Sequence, residues 1–357
     1  MSRGIGVQQK VLRQEMVEIS NRTVQPKSFF SVDRELAGLK VLLIKAKGGF
    51  GNRMLSAVTG VVLAELGGRV PVIDWRDGTY APAGVNVYPL LFQDPVGIDP
   101  ACYDDEREVA PALWSGQLAS HPVDIVSESF PRSHSSPFIY RKLSIDLAGE
   151  DPPQTVGVFW SYLPKLLRLR HRMNRDPRFA GRSRGEIIHE KLKLHFTPTP
   201  LVLNAVDALF ADRGRAVIGV HVRFTDRKVS ISRIERELRR LRKRLPDSDI
   251  FLATDNAEIQ TRIKESFQRV FLVDKALTCD GRPLHEAADT FEDPLREARN
   301  ALIDMWALAR CDWLIHSSQS TFSVTAALIG KIPPTRQIDV DGTNLKVILK
   351  QCFQSLS

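Results

Sequence analysis

The stretch Ala216–Arg223 reads A-V-I-G-V-H-V-R, and Phe224-Thr225-Asp226-Arg227 follows it. Val217, Ile218, Val220 and Val222 form a short β-branched apolar run, the pattern of a buried strand. His221, Arg223, Asp226 and Arg227 then gather at its carboxyl end. In an open α/β sheet, ligands bind in the crevice outside the carboxyl ends of the strands. The stretch by itself leaves two readings open, a phosphate-like anion site or a solvated charged loop.

Downstream, the same logic repeats. Ser232-Arg233-Ile234-Glu235 reads as a capping box opening a helix to about Leu245. Ile234, Leu238, Leu241 and Leu245 are its buried stripe, and Arg236, Arg239, Arg240, Lys243 and Arg244 its basic face. Strand Ile250–Ala253 follows, ending in Thr254-Asp255-Asn256. A further strand is expected over Arg269–Val273. From Pro294 a helix carries Ala298, Leu302, Met305 and Ala309 on its buried stripe. Asp304 sits inside that apolar run, where a carboxylate needs a hydrogen-bonding partner. Strand Trp313–Ile315 leads into His316-Ser317-Ser318-Gln319-Ser320-Thr321, hydroxyls at a helix N-terminus and a second anion-binding pattern.

Upstream, Lys40–Ile44 predicts a strand, followed by the loop Lys47-Gly48-Gly49-Phe50-Gly51-Asn52. A helix from about Arg53 to Leu66 comes next, with Leu55, Val58, Val62 and Leu66 on one side and Gly67-Gly68 as C-cap. Strand Val70–Trp75 completes one turn of a doubly wound fold, with Asp74 where a dinucleotide fold places its ribose-binding acid. The dehydrogenase fingerprint is broken, because Met54 occupies the third glycine position. Asp77 to Glu150 reads as loops and short elements over the first domain. Val156–Tyr162 predicts another strand, and helices are expected over Ile187–Phe196 and, after Pro200, Leu201–Ala211. Arg168–Arg175 and Arg178–Arg184 form a basic stretch, read as solvated surface or linker, with contact to an anionic acceptor or membrane as the other reading.

The chain has 357 residues, 43% hydrophobic and 26% charged, with a net charge of +8. That length suggests about two domains, and the charge favours anionic partners. No run approaches the roughly 18 apolar residues of a membrane span. Met1–Gly6 lacks the apolar core of a secretory signal, so a cytoplasmic location is expected. Cys102, Cys279, Cys311 and Cys352 are scattered and read as buried free thiols rather than a metal or disulfide framework. Nucleic acid is disfavoured, since stacking-aromatic motifs are missing.

Three strand-end clusters in order, H-V-R-F-T-D-R (His221–Arg227), F-L-A-T-D-N (Phe251–Asn256) and L-I-D-M-W-A-L-A-R-C-D-W-L-I-H-S-S-Q-S (Leu302–Ser320), resemble the GDP-fucose-dependent α-1,6-fucosyltransferases. That family includes the rhizobial nodulation fucosyltransferases of the NodZ type and the animal N-glycan core fucosyltransferases. K-G-G-F-G-N (Lys47–Asn52) is similar to the glycine-rich loop of the wider superfamily, which points to Gly49, Gly51 and Asn52. The match is strong across Ala216–Gly330 and moderate around Leu39–Trp75.

The resemblance implies an α/β, GT-B-like fold, two Rossmann-like doubly wound domains facing across a cleft. Residues 1–37 would be a tail or extension, 38–200 the acceptor-side domain and 201–357 the donor-binding domain. It implies an inverting, metal-independent transfer of L-fucose from GDP-fucose to an oligosaccharide or glycan acceptor, with no cofactor beyond the donor substrate. Arg223 would bond the β-phosphate through its planar fork, and Ser317, Ser318 and Gln319 the same diphosphate. His221, Asp255 and Asp304 would line the nucleoside pocket, Asp304 at the guanine edge. Two departures stand out. Phe224 replaces a second arginine, leaving Arg227 or Lys228 to meet the remaining charge. The family's proposed base has no clear counterpart after Arg227, leaving Asp226 or Glu235. Another GDP-sugar or linkage, or an NAD(P)-dependent oxidoreductase, are the alternatives. The basic helix leaves peripheral contact with an anionic membrane surface open.

Overall fold

A computed structural model describes residues 39–132, 136, 138–223, 230–275 and 291–341. The expected tail at 1–37, Phe224 to Lys228 with Asp226 and Arg227, and Cys279 and Cys352 lie outside the described residues. The first half carries β1 (Val41–Lys45), α1 (Phe50–Gly67), β2 (Val70–Asp74), α2 (Tyr88–Leu91), β3 (Val109–Ala110), α3 (Pro122–Ser129), α4 (Tyr140–Leu143), β4 (Val156–Phe159), α5 (Arg170–Arg175), α6 (Arg184–His195) and α7 (Pro200–Phe210). The second carries β5 (Val217–Val222), α8 (Ile231–Arg244), β6 (Asp249–Thr254), α9 (Ala257–Ser266), β7 (Val270–Phe271), α10 (Pro294–Ala309), β8 (Trp313–His316), α11 (Thr321–Ile329) and β9 (Gln337–Asp339).

The strands form two sheets, in orders β2-β1-β4-β3 and β7-β6-β5-β8-β9. Every pairing within them is parallel. The second is the 3-2-1-4-5 order of a doubly wound fold, whose direction reverses between its first and fourth strands, β5 and β8. In the first sheet the reversal falls between β1 and β4. These two switch points are where crevices open, and they hold the glycine-rich loop and the His221 and His316 strand ends.

β5 is buried along its whole length, as its apolar run predicts. α8 and α9 cover one face of its sheet with Ile234, Leu238, Leu241, Ile259 and Ile263. On the other face, Ala298, Leu302 and Met305 of α10 belong to one continuous core with β1, β4 and α1. The two halves therefore share this core, while the face under α8 and α9 buries a second cluster that belongs to the second half alone. α1 shows the consequence. A one-sided stripe is expected from its sequence, yet nearly every residue from Phe50 to Ala64 is buried, because α11 and α6 pack on the side away from the sheet. Gly68, at φ 64°, supplies the left-handed C-cap.

Several expectations need correction. The capping box at Ser232 does not form: α8 begins at Ile231 after Ser230, without a side-chain cap. The strand expected at Arg269–Val273 shrinks to Val270–Phe271, since Arg269 takes a left-handed φ of 60° that no extended strand accommodates. Cys102 is exposed, while Cys311 is buried as expected. Asp77 to Glu150 does more than decorate the surface. It supplies β3 and the buried rings of Tyr80, Tyr88 and Phe92, which pack with Phe50, Trp75 and Phe196. Phe92 also meets Trp306 of α10 at 6.3 Å, so this cluster joins the two halves.

Candidate active site

The two switch points meet at Gly51. A Cβ on Gly51 would lie 2.5 Å from the backbone nitrogen of Phe322 and would overlap Thr321, so the N-termini of α1 and α11 touch only because position 51 has no side chain. Neither helix has a side-chain cap or an acid in its first turn. The first-turn N–H groups of a helix have no intrahelical acceptor, and two such ends facing one cleft concentrate positive potential there. The glycine-rich loop thus works by letting the helices approach. Gly49 is the N-cap of α1, and Asn52 lies within 3.6 Å of the position a Gly48 Cβ would take.

Around this junction the second half gathers most of the residues expected from sequence. His221, on β5, is buried and stacks on Phe322 at 5.1 Å. Burial, reinforced by Arg223, His316 and Lys275, pushes its pKa down to about 3, so the ring is neutral. Its Nδ1 is buried without a partner among the described residues. Arg223 follows β5 and reaches far enough to act on Tyr80 of the first half. Ser320, N-cap of α11, has an orphaned hydroxyl of the same kind. Asp304 is buried in α10, with Oδ2 paired to Lys275 and Oδ1 unpartnered among the described residues. Burial raises its pKa against the pull of Lys275, and Asp255 raises it further. A carboxylate with one oxygen satisfied and one orphaned is poised to accept from a ligand N–H.

Other assignments change. The Ser317 hydroxyl donates to Asp341. The N–H groups of Ser318 and Gln319 donate to Asp339 (3.0 Å) and to Ser317 Oγ (3.2 Å). The N–H groups of Thr321 and Phe322 follow at the start of α11. Glu235 is a poor base: Arg262 bonds one oxygen at 2.5 Å, Arg239 approaches the other at 3.5 Å, and these bonds hold its carboxyl below the usual range. Asp74 is unavailable to a ribose. Lys45 lies 2.6 Å from it, and Arg76 bonds both its oxygens at 2.9 and 3.0 Å.

The sequence reading missed a second network beside the glycine loop. Arg53, in the first turn of α1, donates to the Gly48 carbonyl (2.5 Å), to both oxygens of Asp77 and to Thr79. Its guanidinium lies over Trp75 and Tyr80. His121 Nε2 lies 3.5 Å from Asp77. Burial alone would raise the Asp77 pKa, but His121 and Arg53 together hold it well below the usual carboxylate range. The available signal was Arg53 directly after Asn52 with Asp77 in D-G-T; their pairing is long-range and has no local period. Among the described residues, no three His, Cys, Asp or Glu side chains gather as a metal site requires.

Residues 185–352 match the family model described as nodulation protein Z (NodZ). Nodulation protein Z of Bradyrhizobium diazoefficiens is 23% identical over 348 residues, covering 89% of this chain and 86% of that protein. Among solved structures, a NodZ α-1,6-fucosyltransferase soaked with GDP-fucose superposes with TM-score 0.57 at 23% identity, covering 81% of this chain and 92% of that one. The same enzyme co-crystallised with GDP gives 0.54 at 23% identity, with the same coverage. The resemblance read from the strand-end clusters therefore holds: the second half carries the NodZ sequence pattern, and the chain has the two-sheet Rossmann-like fold of these GT-B fucosyltransferases.

Proposed function

We propose that this protein is a glycosyltransferase that moves L-fucose from GDP-fucose to a hydroxyl of a glycan acceptor, in α-1,6 linkage to N-acetylglucosamine. The carrying observation is the junction at Gly51, where two helix N-termini without side-chain caps converge beside His221, on which Arg223 and Lys275 both act, Lys275 being the partner of Asp304. Such a junction suits a diphosphate. Arg223 and the N–H groups of Thr321 and Phe322 would neutralise the charge of departing GDP, as preorganised donors do in other group transfers. The orphaned Asp304 oxygen would accept from the guanine edge. Residues 201–357 are the donor side and 38–200 the acceptor side in this reading. Neutral His221, stacked on Phe322, would form a wall of the nucleoside pocket together with Asp255. Asp226 is the acid we assign to the acceptor hydroxyl, since Glu235 is held by Arg262 and Arg239.

The names of the relatives support this reading, one described as an α-1,6-fucosyltransferase soaked with GDP-fucose and another co-crystallised with GDP. We further propose a cytoplasmic, metal-independent enzyme with no cofactor beyond its donor. Among the described residues no helix is long and apolar enough to cross a membrane. Thermal shift with GDP, UDP and NAD tests the donor. Ligand at about 100 times its dissociation constant adds about 2.7 kcal/mol of stability, and GDP alone is expected to do so. Stabilisation by NAD alone would sink the reading. Fucosyl transfer to an N-acetylglucosamine-bearing glycan should persist in EDTA, and a strict need for added Mg²⁺ or Mn²⁺ would overturn metal independence.

A further inference from the structure

We propose that the ring of Tyr162 is the platform on which a pyranose of the acceptor glycan stacks, a binding role that rests on the fucosyl-transfer reading above. The strand expected over Val156–Tyr162 ends at Phe159, beside β1 at the switch point of the first sheet. Beyond it the Ser161 hydroxyl accepts from the Leu163 N–H at 3.3 Å and donates to the Leu163 carbonyl at 2.7 Å, which bends the chain away from the ladder. The segment then runs along one face of α1. Asn52, Ser56 and Thr59 stand four and three residues apart, the spacing that puts side chains on one side of a helix. Ser56 donates to the Ser161 carbonyl at 2.5 Å, and Thr59 accepts from the Lys165 N–H at 3.0 Å. Tyr162 comes at the Asn52 end of that face, against the glycine-rich loop.

A single exposed aromatic on a protein surface is ordinary, and what sets Tyr162 apart is its surroundings. Its side chain is 44% exposed. Its ring edge fills the space that a side chain at position 48 would need, since a Cβ on Gly48 would lie 2.9 Å from Tyr162 Cε2. The same point is 3.6 Å from Asn52 Nδ2, and the Lys47 ammonium lies 5.9 Å from the centre of the ring. An exposed aromatic ring thus stands with an amide and an ammonium beside it. A pyranose has the matching chemistry, a layer of C–H groups on its face and hydroxyls around its edge. The C–H groups, weakly positive, suit the negative face of an aromatic ring. The hydroxyls need partners once they leave water, and Asn52 and Lys47 carry donors. Both flanks of the platform are tied to α1, Gly48 by Arg53 at 2.5 Å and Ser161 by Ser56, so little backbone freedom is left to lose on binding. Gly48 is three residues from Gly51, a span of at most about 11 Å. That sets the platform beside the helix junction assigned to the diphosphate, on the half read as the acceptor side.

The test uses the full chain and an N-acetylglucosamine-bearing glycan. It measures the glycan KM in fucosyl transfer, the dissociation constant of GDP, and glycan binding in the presence of GDP by saturation-transfer difference NMR. In Tyr162→Ala the glycan KM should rise roughly tenfold, the scale for truncating an aromatic anchor, with GDP affinity at the wild-type value. Tyr162→Phe, which keeps the ring, should rescue most of that loss. A wild-type glycan KM in Tyr162→Ala would overturn the platform. So would a fall in GDP affinity as large as the rise in KM, which would make the ring a support of the glycine loop. If Tyr162→Ala does not fold, Tyr162→Leu carries the same expectation, since it keeps apolar bulk without an aromatic face. The NMR arm separates this proposal from the donor reading. A glycan signal lost in the variant while GDP still binds supports the platform, and equal signals refute it. A wild-type chain that binds GDP but not the glycan refutes the platform and leaves the donor reading standing. Glycan bound through Tyr162 without any binding of GDP keeps the platform and sinks the donor reading.

Discussion

The two switch points are built alike and charged differently. In the first half, each crevice carboxylate is fully engaged: Asp74 with Lys45 and Arg76, Asp77 with Arg53, Thr79 and His121. In the second half, Asp304 has one oxygen, His221 one nitrogen and Ser320 its hydroxyl without a partner among the described residues. Buried polar groups in folded proteins are nearly always satisfied, so the difference separates roles. The first half uses its charges to fix the Gly48 loop and the strand ends. The second half leaves three such atoms without a partner among the described residues. A charged residue at a strand's carboxyl end is therefore not enough to locate a site; an unsatisfied one is more informative.

Four measurements would break or sharpen that comparison. Asp77→Ala leaves the fully buried Arg53 guanidinium uncompensated, and removing one partner of a buried pair costs roughly 3–5 kcal/mol. Its denaturant midpoint should fall accordingly, while Ser320→Ala, which removes a hydroxyl with no partner among the described residues, should leave stability far less changed. Equal losses would erase the contrast. Arg223→Ala should lower fucosyl turnover by about 100-fold or more, the scale for one preorganised charge-stabilising donor. Near-normal turnover with GDP-fucose would remove Arg223 from the diphosphate.

Gly51→Ala drives a methyl into the backbone of α11 and should cost about 1–3 kcal/mol through overpacking. Its GDP affinity should drop as well, because the two N-termini move apart. A stable variant with unaltered GDP binding would mean that the helices need not touch. The last measurement is of pH dependence, where the effect is spread over several pH units. His221 and His195 have folded pKa values of about 3 and about 4, both lowered chiefly by burial. Their unfolded values lie near 6.5, so below that pH the unfolded chain takes up protons that the folded chain refuses. Stability should be unaffected by these groups above about pH 6.5 and fall below it, by up to about 1.4 kcal/mol per pH unit for each ring. His221→Phe should flatten the slope between pH 6.5 and 4.5, and a wild-type slope in that variant would show the ring to be exposed.

Local patterns carried much of this molecule. The apolar run Val217–Val222, the stripe on Pro294–Ala309 and Gly68 after α1 each formed where their periods placed them, since strand alternation, helical period and left-handed caps depend on near neighbours. The cluster His221, Arg223 and Asp304 was legible for the same reason. Each stands out as a polar residue in or just after an apolar run. Asp74 misled because its position in sequence is that of a ribose-binding acid, and its partners Lys45 and Arg76 neutralise it only once β1 and β2 pair. Glu235 misled in the same way: three residues after Ser232 it looks like half of a capping box, but Arg262 of α9 claims it.

The sequence by itself determined the alternation of strands and helices, the carboxyl-end clusters and the family they resemble. Only the tertiary structure decided that Gly51 serves close helix approach, that Asp77 and Arg53 bond across 24 residues, and which buried atoms remain unsatisfied. The reason is range. Propensity and period are set within a few residues, whereas satisfaction of a hydrogen bond is a property of the whole packed neighbourhood and has no local signature.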